Sequence, residues 1–254
     1  MVHTKPAVMT AADFLAATGG VPFVDLDLGH STLLTAVAAV RRAADPAAFP
    51  KLADYLDPAK AQTIFDRHAR CHVDVAEYTE FSEAQEERIE QATAEVLTAV
   101  PEWTPLFQIP LRFRRMVDDR LSATSALVPQ TIYLGDRAFD NATVTLAESL
   151  VHEHAHVWLN FVAEAFDLQR EGASVNYVLP SGTGGKALRG VLFAAHFAAA
   201  AITLHSRTGG RPERLAYLVD YLGGCLATSA GKPDLTEMGA LVHARLTKFL
   251  DEVR

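Results

Sequence analysis

His152 and His156, four residues apart inside the largely apolar segment Leu146 to Trp158, constrain this chain more than any other feature. On a helix the i, i+4 spacing stacks two imidazoles on one face about one turn apart, a geometry suited to a single metal ion. The flanking pattern predicts a helix from Thr143 to about Leu168, broken afterwards by Gly172 and Ser174. Between the two histidines lies Glu153, which completes an H-E-x-x-H motif. It stands roughly 100° round the helix from His152, so it is expected to touch a metal-bound water or a group that orients a ligand, rather than to be a ligand itself. His154 falls on the opposite side of the helix and reads as a core or supporting histidine.

The rest of the chain reads as mainly α with a small β-sheet. Leu33, Leu34, Val37 and Val40 recur at helical spacing, and a charged helical pattern covers Ser82 to Val100, closed by Pro101. Short β-like runs follow at Leu111 to Phe113 and Thr131 to Leu134, separated by Ser122-Ala123-Thr124-Ser125. A strand ending shortly before an H-E-x-x-H helix is the layout of a zincin, with a sheet edge beside the motif. Three further helices are predicted at about Lys186 to Arg207, Pro212 to Ala227 and Leu235 to Val253, forming a C-terminal helical bundle. We expect one compact domain, with residues 1–104 as an N-terminal helical part and 105–254 as the part that carries the metal site.

Two histidines do not hold a catalytic metal well, so a third ligand is expected. The metzincin continuation is excluded, because Leu159 and Val162 stand where its glycine and histidine belong. Glu164 is eight residues beyond His156, about 12 Å along the axis, and cannot reach the same ion; Glu171 would need a sharp reversal of the chain. His196, alone and polar within Gly190 to Ala200, is the better candidate, since its small neighbours allow close helix approach. Arg189 lies seven residues before it and is placed to clamp a carboxylate, while Lys186 follows the glycine-rich stretch Ser181 to Gly185, which favours anions but is not a P-loop. His68, Cys71 and His72 read as a helix surface with an incidental cysteine, and the acidic run Glu77 to Glu90 as a solvated face.

Composition limits the partners. A formal net charge of -8 argues against nucleic acid, which needs clustered basic residues. Cys71 and Cys225 form no disulfide framework and no cysteine zinc site, which suits a reducing cytoplasm. No secretory pattern opens the sequence, and the run Gly190 to Leu204 is too short to span a bilayer, so a cytoplasmic protein without membrane attachment is expected. The oligomeric state is left open by the apolar C-terminal helices.

The segment Ser149 to Asn160 resembles the core of the H-E-x-x-H peptide-modification family. So does the downstream block of Tyr177 to Pro180, Lys186, Arg189, Gly190 to Leu192 and His196-Phe197. The similarity covers roughly Thr131 to Ala200. Characterised members are iron(II) and 2-oxoglutarate dependent β-hydroxylases that act on precursor peptides of natural products. The resemblance therefore implies an iron dioxygenase that hydroxylates a C–H bond of an amino-acid side chain in a peptide or carrier-bound substrate. It implies iron on His152, His156 and His196, with Lys186 or Arg189 receiving 2-oxoglutarate. The family histidine also aligns three residues earlier, at Phe193, and the family's arginine-rich stretch is replaced here by Ser-Gly-Thr-Gly-Gly-Lys. The alternative from the motif alone is a zinc hydrolase of gluzincin type, with Glu153 activating the water.

Overall fold

The computed structural model describes residues 9–68, 77–140 and 144–254. Cys71 and His72 lie outside the described residues. Mainly helical, the chain runs through α1 (Ala11–Ala17), α2 (His30–Ala44), α3 (Pro58–His68), β1 (Tyr78–Thr79), α4 (Glu83–Ala99), α5 (Thr104–Phe107), β2 (Arg112–Met116), β3 (Ser122–Ser125) and β4 (Val128–Gly135). It continues through α6 (Asp136–Asp140), α7 (Leu146–Ala165), α8 (Leu188–Thr208), α9 (Pro212–Ser229) and α10 (Glu237–Val253).

The four strands form one mixed sheet in the order β1-β2-β4-β3, with β2 and β4 parallel and the outer pairs antiparallel. β4 is buried along its whole length, and the face carrying Ile132 and Leu134 joins the main helical core. Ser122 to Ser125, expected to separate two strands, is itself the edge strand β3 and pairs with β4. Its small polar residues carry no apolar alternation, so the pairing is imposed by the neighbouring strand rather than by local propensity.

The motif helix α7 begins where Thr145 accepts a hydrogen bond from the Glu148 backbone N–H, and ends where Phe166 turns to extended backbone. It is therefore shorter at both ends than the pattern suggested. Trp158, fully buried, donates its indole N–H to the Leu106 carbonyl at 2.8 Å and fastens α7 to α5. α8 lies antiparallel along α7 and packs also on α9 and α10. By length and composition α8 could cross a membrane, yet 67% of its most apolar window is buried inside the fold. One hydrophobic cluster joins Phe14 and Val21 near the start to Trp158 of the motif helix and Leu250 near the end.

Lys186 does not start α8 as expected. It pairs as an isolated bridge with Tyr177, each backbone N–H donating to the other's carbonyl, which closes a small hairpin just before the helix.

Candidate metal centre

A polar ridge runs along α7 at every fourth residue: Glu148, His152, His156, Asn160 and Glu164. The i±4 row of a helix packs against the matching row of its neighbour. Here that neighbour is α8, whose Arg189, Phe193, Phe197 and His205 meet the ridge in reverse order. Arg189 donates to Asn160 Oδ1 at 2.6 Å. Phe193 lies 5.4 Å from His156 by ring centroids, and Phe197 stacks on His152 at 3.9 Å. His205 bonds Glu148 at 2.8 Å, and Arg214 of α9 donates to both oxygens of the same carboxylate. At the far end Glu164 pairs with Arg41 through two hydrogen bonds.

His152 and His156, part-exposed like Asn160 and Glu164, lie at the middle of the ridge. Their Nε2 atoms are 2.9 Å apart, with the rings at 87° to each other. That is a hydrogen-bond distance. It is also the separation of two nitrogens held at right angles on one ion with bonds of roughly 2.0–2.1 Å, whereas a tetrahedral pair would stand about 3.3–3.4 Å apart. The 2.9 Å separation therefore matches a metal with near-octahedral angles as well as it matches a hydrogen bond. Burial, and then the neighbouring His152, His196 and Lys186, hold the His156 imidazole well below its ordinary pKa, so it stays in the neutral form a metal requires.

Glu153 is buried at 1% exposure, and its Oε2 has no hydrogen-bond partner among the described residues. An unpaired buried carboxylate oxygen carries a desolvation penalty, which marks the residue as chemically available beside the pair. His154, as expected, is a supporting core residue. It bonds the Leu150 carbonyl at 2.8 Å, stacks on Phe107 at 4.0 Å, and is pushed down to about 4 by burial.

His196 is fully buried, and its Nε2–H donates to the Pro22 carbonyl at 2.6 Å, while Nδ1 makes no hydrogen bond of normal geometry among the described residues. Burial outweighs its contacts with the Pro22 and Ala155 backbone and lowers it to about 4. The α8 side chains that touch the histidine pair are thus Phe193 and Phe197. Among the described residues, no group of three or more His, Cys, Asp or Glu side chains gathers on one point.

Of the two cations, Lys186 comes near the pair, while Arg189 lies one turn along the ridge, at Asn160. Lys186 is close enough to His156 to lower its pKa electrostatically. Arg189 stands over the Phe193 ring at 5.2 Å, and its backbone N–H donates to Gln169 Oε1 at 2.8 Å. Burial lowers the Arg189 pKa, against the through-space pull of Asp167 and Glu164. Sequence reasoning missed Asn160 and Gln169, which hold this arginine. Asn160 carried a signal in hindsight, as the next polar residue on the His152-His156 face. Glu164, excluded as a ligand, is indeed committed elsewhere, to Arg41.

No protein-family model matches this chain, and no curated protein matches it.

Proposed function

We propose that this chain is a non-haem iron dioxygenase that uses 2-oxoglutarate to hydroxylate a C–H bond of an amino-acid side chain in a peptide or carrier-bound substrate. The observation that carries the proposal is the approach of His152 and His156 Nε2 to 2.9 Å, with Lys186 near His156 and Arg189 one turn along the ridge at Asn160. Bound iron(II) would supply oxygen activation and hydrogen abstraction, with open positions for co-substrate and O2. The protein's own residues do the remainder. His152 and His156 hold the ion, and Phe197 fixes the plane of the His152 ring by stacking on it. Lys186 and Arg189 attract the carboxylate of the co-substrate, and Glu153 orients the ligands or carries a proton.

In this reading the edge strand β3 beside α7 is the sheet edge of a zincin-like layout, and α8, α9 and α10 form the helical bundle behind the site. His196 becomes the third ligand if its ring leaves the Pro22 carbonyl. A second reading rests on the unpartnered Oε2 of Glu153: a zinc hydrolase in which that carboxylate takes the proton of an attacking water.

The test is metal analysis of protein purified without chelator, followed by succinate release from 2-oxoglutarate under air. Iron with succinate release supports the dioxygenase. Zinc with peptide cleavage supports the second reading, and neither metal nor turnover rejects both. His196→Ala then decides the third position, since loss of the metal makes it a ligand and full occupancy removes it from the set.

A further inference from the structure

Arg189, one turn along the ridge from His156, is held in an unusual way. Arg189 has five guanidinium donors, and among the described residues its side chain makes one hydrogen bond, to the neutral amide oxygen of Asn160. Among the described residues no carboxylate lies within ion-pair reach of it. Glu164 is committed to Arg41, and Asp167 acts only through space. The α8 turn that carries Arg189 is clamped a second time, because Gln169 Oε1 accepts the Arg189 backbone N–H where Ala187 offers no side-chain cap. Two amides therefore fix this arginine in place without cancelling its charge. An arginine that is partly desolvated and compensated only through space, by Asp167 and Glu164, is costly to the fold unless an anion completes it.

We propose that Asn160 is a positioning residue that holds Arg189 one helical turn from His156 with its charge uncancelled, so that Arg189 and Lys186 together receive a small dicarboxylate. The inference rests on the reading of these two cations as the co-substrate site. It goes further in assigning to Asn160 a role that depends on its neutrality. An aspartate at 160 would keep the contact with Arg189, and indeed strengthen it, while removing the charge that the ligand needs. A purely structural Asn160 predicts the reverse, since a stronger contact would leave ligand binding intact.

The experiment is calorimetric titration of the full chain under argon with Fe(II) present. 2-Oxoglutarate is used first, and then glutarate, which lacks the keto group a metal would chelate. The expected result is that wild-type protein binds both, and that Asn160→Asp weakens both by roughly tenfold or more with melting temperature and metal content at or above the wild-type values. Asn160→Ala, which frees Arg189 without neutralising it, weakens binding less than Asn160→Asp. Wild-type affinity in Asn160→Asp, or failure of the wild type to hold glutarate, overturns the proposal. The two readings fail separately. Glutarate binding that depends on Asn160 without any succinate release leaves the dicarboxylate site standing and removes the dioxygenase. Succinate release that is unchanged in Asn160→Asp does the opposite.

Discussion

Nε2 of His152 faces Nε2 of His156 across 2.9 Å, one helical turn apart, with Phe197 stacked on the first ring and Phe193 beside the second. A pair this close binds one ion or none. We expect one metal per chain, and replacing either histidine with alanine should lower metal affinity by more than the tenfold to hundredfold typical of losing only an orienting partner. The double variant should be no worse than the worse single variant. Two independent losses that multiply in equilibrium dialysis would mean that the histidines act separately.

The motif helix and this pair were legible in the sequence because both follow from spacing alone. What surrounds them was not. The Pro22 carbonyl that receives His196 lies 174 residues away in the chain, and no local pattern announces a contact of that separation. β3 was unreadable for a related reason, since Ser122 to Ser125 become a strand only because β4 lies alongside. Lys186 was placed on a helix by its glycine-rich approach, yet the bridge to Tyr177 takes its backbone instead. Helix ends were shifted by a few residues wherever a threonine served as cap, as at Thr145 and Thr236.

Stability should fall with acid in a specific window. His154 and His196 are both depressed to about 4 by burial, against an ordinary value of 6.5. Between these values the unfolded chain binds more protons than the folded one, so stability is present above pH 6.5 and is lost as pH falls toward 4. Each group contributes roughly 3 kcal/mol across that window. Urea unfolding at pH 7.5 and pH 5 should therefore show a marked drop in midpoint, and His154→Phe should flatten the dependence. An unchanged slope in that variant would remove His154 from the explanation.

The Arg41–Glu164 pair anchors the far end of the polar ridge to α2. Arg41 is only 2% exposed and also donates to the Tyr55 carbonyl and to Gln130 Oε1. Removing Glu164 leaves a buried guanidinium without its counter-charge, so Glu164→Ala should cost about 3–5 kcal/mol. Replacing both residues with leucine should recover much of that loss, because no unpaired charge is left buried. Denaturant unfolding of the two single variants and the double variant tests this, and a double variant as unstable as the sum of the singles would contradict it.

Adjacent glycines in α9 should respond in opposite directions. Within a helix, alanine in place of glycine normally stabilises by about 0.5–1 kcal/mol. At Gly223 a new Cβ would come within 3.0 Å of the Arg254 guanidinium, the far end of a long flexible side chain, which can move aside. At Gly224 the Cβ would come within 2.6 Å of the Pro180 ring, and the hairpin that carries Pro180 ends at Lys186. Proline cannot swing away on a long side chain, so the hairpin itself must shift and take Lys186 from its place near His156. Gly223→Ala should therefore hold or raise the melting temperature. Gly224→Ala should lower it and weaken 2-oxoglutarate binding in parallel, and equal behaviour of the two variants would show that the hairpin does not depend on this contact.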